Sequence, residues 1–85
     1  MLILYIQTMK IQVFAVLKDY FDREFELHDN ITDAASLRER LVQQNPSAAA
    51  ILSICRFAVN DEFIDNDFQF KENDTIYIIP PGSGG

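Results

Sequence analysis

The residues of this 85-residue chain whose types could do chemistry fall in four places. The first is the ending, Pro80-Pro81-Gly82-Ser83-Gly84-Gly85, which closes on an unhindered carboxylate. The second is Cys55, the single cysteine, and the third is His28, the single histidine, beside Asp29 and Asn30. The fourth is a set of carboxylates at Asp65, Asp67 and Asp74. A lone cysteine can form neither an internal disulfide nor a thiolate cluster, and free cysteine commonly behaves as a small buried hydrophobe. One histidine without a cysteine or a second histidine is not a metal site. The aspartates lack the fixed glycine and terminal glutamate of a calcium loop, so turns and solvated charge account for them. No metal site and no bound cofactor is expected.

The ending has two bland readings, a linker or cloning remnant and a native terminus with no role. Physical points favour a working part. The segment leaves directly from an apolar run, "TIYII", and is stiffened by two prolines. Gly82 to Gly85 can extend about 13 Å, and about 20 Å with Pro80 and Pro81 included. Glycine fits a narrow channel and lets another backbone approach closely. A terminal glycine carboxylate is also the least hindered acyl group an enzyme could activate.

The elements that must carry this tail are legible as patterns. From Lys10 to Leu17 apolar residues alternate, with Ile11, Val13, Ala15 and Leu17 on one side, which predicts a strand with one buried face. "KDYFD" makes a turn, and Arg23 to Leu27 alternates again, giving an antiparallel hairpin. "TDAASLRERLVQQNP" predicts a helix capped by Thr32 or Asp33, with Ala34, Leu37 and Leu41 on its apolar face and Pro46 as its stop. "SAAAILSI" predicts a second, short helix. "CRFAVNDEFI" predicts two short strands around an Asn60-Asp61-Glu62 turn. Phe70 should anchor the polar loop that follows, and Asn73 suits a left-handed turn. "TIYII" is a closing strand that Pro80 and Pro81 end, since neither can donate to a ladder. A helix crossing between a hairpin and a later strand is an α+β design, and a right-handed crossover lays the last strand parallel beside the first. The expected fold is a ubiquitin-like β-grasp: a mixed sheet packed on one main helix. The expected division is residues 1–9 as an extension or first-strand start, 10–79 as the domain and 80–85 as the reactive tail. Met9 is an alternative start, and whether residues 1–8 are native or an artefact stays open.

Composition sets the class of partner. A net charge of −6 argues against nucleic acid, which wants a basic face, and fits steering toward a basic protein surface. Four cysteines would be needed for an iron–sulfur carrier, and one is present. The N-terminal "MLILYIQTMKIQVFAVL" is broken by Gln7, Lys10 and Gln12 and falls short of the roughly 20 apolar residues of a membrane span. It also lacks a cationic start and a small-residue cleavage site. A reducing, cytoplasmic setting with no membrane partner is expected.

Four stretches, "KIQVFAVLKDYF", "TDAASLRERLVQQ", "AVNDEFI" and "ENDTIYIIPPGSGG", together resemble the sulfur-carrier small subunits of molybdopterin synthase over residues 9–85. That family ends in an aspartate-glycine-aspartate turn, three or four apolar residues and Pro-Pro-x-x-Gly-Gly. Here Asn73 replaces the turn glycine, and Gly82 stands where the family often has valine, while Gly84-Gly85 is kept. The resemblance implies that the Gly85 carboxylate is adenylated by a ubiquitin-activating-type enzyme using ATP. A sulfur donor then converts it to a thiocarboxylate. Pro80, Pro81, Gly82, Ser83 and Gly84 thread the tail into the large synthase subunit, in a heterotetramer of two of each. There the sulfur passes to cyclic pyranopterin monophosphate to build the molybdopterin dithiolene. Phe14 on the first strand, Ile79 on the last and Phe63 in the hairpin would form the apolar docking face. Other readings stay open: a sulfur carrier for thiazole synthesis or tRNA thiolation, a ubiquitin-like modifier joined to lysines, or an interaction domain with an inert tail. The length and the helix after Pro46 argue against the shorter thiazole carrier.

Overall fold

A computed structural model of the protein describes residues 8–28 and 30–82, so Asp29, the extension before residue 8 and Ser83, Gly84 and Gly85 lie outside the described residues. Alternating apolar residues make β1, Met9–Val13, with Met9, Ile11 and Val13 fully buried. It pairs antiparallel with β2, Glu24–Leu27, as the hairpin pattern predicts. The closing strand β5, Thr75–Ile79, lies parallel to β1, setting Ile76 beside Ile11 and Ile78 beside Val13. On the other side β5 pairs antiparallel with β3, Arg56–Val59, which turns back into β4, Glu62–Ile64. The sheet order is β2-β1-β5-β3-β4.

The first strand is shorter than the alternation predicts. It ends at Val13, and Ala15 takes a left-handed φ of 54°, which turns the chain into a 3-10 helix over Ala15–Asp19. A left-handed alanine costs about 1 kcal/mol. Burial of Leu17, with Tyr20 and Phe21 packed partly against the core, opposes that cost. Ala15, Val16 and Leu17 are therefore not strand residues. Glu62 is corrected too. Asn60 and Asp61 are both left-handed, at φ 53° and 66°, which is the two-residue hairpin turn of type I′, so Glu62 already belongs to β4.

Helix α1, Ala34–Gln44, begins where Asp33 accepts the Ser36 N–H on its carboxylate at 2.8 Å. Its face of Ala34, Leu37 and Leu41 packs onto the inner side of the sheet. Pro46 then starts a 3-10 turn, Pro46–Ala48, that runs into the expected short helix α2, Ala49–Ile54. Arg38 ties the two helices together. Its guanidinium donates to the carbonyls of Leu52 and Cys55, at the C-terminal end of α2, and lies 4.5 Å above the Phe57 ring. Phe70 anchors the loop after β4 in the core, with its N–H donating to the Thr32 carbonyl at 2.8 Å. One face of the sheet is thus closed by α1, and among the described residues no helix covers the other.

Candidate functional site

Strand register decides which side chains share the open face, because residues opposite one another in a sheet point the same way. Gln12, Tyr77, Ala58 and Phe63 fall in one row across β1, β5, β3 and β4. The next row toward the end of β5 sets Arg56 opposite Ile79. Phe14 follows β1 with extended backbone, φ −129° and ψ 157°, so it continues the alternation onto the same face. Its ring centroid is 5.9 Å from that of Tyr77. The structure therefore brings the three residues predicted for docking, Phe14, Phe63 and Ile79, to one surface. Phe14 is 36% exposed and Phe63 54%, so neither is a core residue. Toward β2 the face turns polar, with Lys10 3.8 Å from Glu24.

Two members of this surface were not singled out from the sequence. Tyr77 lies between Phe14 and Ala58, and its spacing of two from Ile79 was the available signal. Arg56 extends its guanidinium over the Phe63 ring, 3.6 Å from the centroid, and only strand register reveals that meeting. Two further exposed apolar side chains, Val16 and Ile54, follow β1 and precede β3 at the end of the sheet where β5 finishes.

The tail leaves from that same end. Pro80 is buried, while Pro81 and Gly82 are exposed. Gly82 has φ 79°, and a Cβ built on it would meet no atom within 4 Å. Pro81 and Gly82 form a turn, and the positive φ of Gly82 is a conformation that glycine adopts without strain, so the backbone departs from the extended course of β5 at these two residues.

The other chemical candidates are placed differently. Cys55 is buried, and its thiol donates to the Ile51 carbonyl at 3.1 Å. Burial pushes the thiol pKa up, against a smaller opposing pull from the Arg38 guanidinium. A buried thiol of raised pKa is a poor nucleophile. His28 is exposed, with Nδ1 3.3 Å from the Thr8 hydroxyl. Among the described residues no group of three or more His, Cys, Asp or Glu side chains could hold a metal ion. None of their helices is long and apolar enough to cross a membrane.

Comparison with known proteins agrees with this geometry. Residues 11–85 match the ThiS family, and the chain belongs to that family. It is similar to the molybdopterin synthase sulfur carrier subunit of Dictyostelium discoideum, at 35% identity over 81 residues covering 89% of this chain and 94% of the relative. It is also similar to a chain in the complex of subunits 1 and 2 of the molybdopterin-converting factor of Helicobacter pylori. That match has a TM-score of 0.69 and 26% identity, covering 93% of this chain and all of the other. The small archaeal modifier protein 1 of Haloferax volcanii superposes with a TM-score of 0.73 at 19% identity, covering 92% of this chain and 99% of its own. At that identity the likeness is one of fold. The fold is the ubiquitin-like β-grasp.

Proposed function

We propose that this chain is the sulfur-carrying small subunit of a molybdopterin synthase. The observation that carries the reading is the junction of two features: β5 runs directly into Pro80 and Pro81, and it does so at the border of an exposed apolar face. A body that docks by that face holds the tail against the same partner, which is what a threaded acyl carrier needs. The family membership and the Dictyostelium discoideum relative support the same function.

The chemistry resides in one group. The Gly85 carboxylate attacks the α-phosphorus of ATP on a ubiquitin-activating-type enzyme, and pyrophosphate leaves. The resulting acyl-adenylate has an electrophilic carbonyl, because AMP is a far better leaving group than oxide. Hydrosulfide from the sulfur donor adds there and expels AMP, leaving the thiocarboxylate. Inside the large subunit the thiocarboxylate sulfur displaces an oxygen substituent from a side-chain carbon of cyclic pyranopterin monophosphate. The oxygen leaves as phosphate or water, and a further water then cleaves the acyl–sulfur bond. The sulfur stays on the pterin and the Gly85 carboxylate is regenerated. Two such transfers make the dithiolene. Acid–base and phosphate-binding groups belong to the partners, and Cys55 takes no part. The assembly is a heterotetramer of two small and two large subunits in the cytoplasm, where a free thiol such as Cys55 persists.

The test is the mass of the intact chain after incubation with the activating enzyme, ATP and a sulfur donor, followed by addition of the large subunit and cyclic pyranopterin monophosphate. The expected result is a species heavier by the difference between sulfur and oxygen that is consumed as molybdopterin forms. Isopeptide adducts on other proteins would favour a modifier, and an unchanged mass would favour an inert tail. Thiocarboxylate that forms yet persists beside the large subunit would indicate another sulfur pathway.

A further inference from the structure

Arg56 is out of keeping with the surface it occupies. Its neighbours there are Ile79, opposite it on β5, Ala58, two residues along β3, and Phe63 on β4. Its guanidinium carbon sits 3.6 Å from the Phe63 ring centroid. The ion pair that the described residues form on this face, Lys10 with Glu24, leaves Arg56 out. Glu62 follows Asp61 into β4 but pairs with the buried Val59, so it belongs to the opposite face. Arg56 thus presents a positive charge, steadied by an aromatic ring, at the border where the tail departs, on a chain whose net charge is −6.

Docking changes the environment of that charge. Because β3 lies between β5 and β4, a partner that covers both Ile79 and Phe63 also covers Arg56. Contact with Phe63 leaves the guanidinium N–H donors to be satisfied, and burying them without an acceptor is strongly unfavourable. A carboxylate meets a guanidinium with two parallel hydrogen bonds of fixed direction, which a carbonyl cannot do.

We propose that Arg56 is a specificity-determining residue of the docking face, and that it pairs with an aspartate or glutamate on the tail-receiving large subunit. The proposal rests on the docking face described above. The pair sets the rotation of the body about the tail, so that the chain beyond Pro81 points into the partner's channel. The partner surface it implies is basic on the whole, matching the acidic body, with one acidic residue inside the apolar contact. Such an isolated opposite charge rejects partners that match in shape and lack it.

The experiment measures binding of the purified large subunit to the full-length chain by titration calorimetry. The variants are Arg56→Met, Arg56→Lys and Arg56→Glu, with Phe14→Arg as a control for the face itself. Removing one member of a buried charge pair strands the other, so Arg56→Met should weaken binding about 30-fold or more. Arg56→Lys should fall between, since it keeps charge and loses the fork, and Arg56→Glu should be weakest. An Asp/Glu→Lys change on the large subunit that restores binding of Arg56→Glu would identify the partner carboxylate. Arg56 is exposed and its contact with Phe63 is a weak one at such a site, so all three variants should stay folded and melt within about 8 °C of wild type. Binding of Arg56→Met within about twofold of wild type, while Phe14→Arg still disrupts it, overturns the charge pair alone. Loss of affinity in neither variant overturns the docking face as well.

Discussion

Replacing Phe63 and Phe14 with alanine measures what the open face contributes to docking. Burying a whole phenylalanine side chain from water is worth up to about 3 kcal/mol. Phe63 is 54% exposed, so a partner that covers it can remove about half of that side chain from water, worth roughly 1.5 kcal/mol, or about tenfold in Kd. Phe14 is 36% exposed, which gives about 1 kcal/mol and a roughly fivefold effect. Three strand spacings separate β1 from β4, about 14 Å, a distance at which two truncations add. The double variant should therefore bind the large subunit about 50-fold more weakly than wild type. Titration calorimetry of the full-length chains reads the affinity, and a thermal melt of each free variant checks that it is folded. A folded double variant that binds within about twofold of wild type would refute the reasoning, because no partner then covers the exposed rings. An effect on Phe14 alone would place the contact at the β1 side of the face and leave β3 and β4 free.

Other perturbations separate the tail from the body. Gly82→Val should leave the melting temperature unchanged, since no atom lies near the new Cβ, but a β-branched residue disfavours the left-handed turn at φ 79°. The tail then leaves more extended and with less freedom to lose, so large-subunit binding should tighten by about two- to fivefold; weaker binding would mean that the turn itself is recognised. Cys55→Ala should form thiocarboxylate at the wild-type rate while losing about 1 kcal/mol of stability to a small cavity; a collapse of the rate in a folded variant would make the thiol a participant. Asp33→Ala should lower the melting temperature by about 5 °C through loss of the α1 cap. The Ser36 hydrogen bonds hold the Asp33 carboxyl below its ordinary value, so its contribution is present above that ordinary value and is lost as pH falls through the lower folded one. Urea midpoints between wild type and Asp33→Ala should therefore converge only in strong acid, and convergence near neutrality would contradict the cap.

Where local chemistry repeats a pattern that packing also wants, the sequence is readable. The β5 alternation, the Asp33 cap, the Leu37 and Leu41 face and the left-handed Asn73 all follow from one stretch at a time. The end of β1 does not. Leu17 is inward in both the extended and the 3-10 arrangement, so alternation runs on past Val13, and nothing about Ala15 announces a left-handed residue. Register hides the rest. That Phe14, Tyr77 and Phe63 lie on one face, or that Arg56 reaches Phe63, depends on which residues sit opposite across four strands. Arg38 shows the same limit, since its three carbonyl and amide partners come from α2, the residue after it and a distant loop. The tail was legible as a motif, yet its bend at Gly82 comes from a conformation that glycine permits without dictating.

The central claim is that the sulfur travels on the Gly85 carbonyl. The most direct measurement is mass spectrometry of the C-terminal peptide after reaction with the activating enzyme, ATP and a sulfur donor. The account predicts exchange of one oxygen for sulfur on Gly85, and its loss when the large subunit and cyclic pyranopterin monophosphate are added. A sulfur carried as a persulfide on Cys55, with Gly85 unchanged, would contradict it.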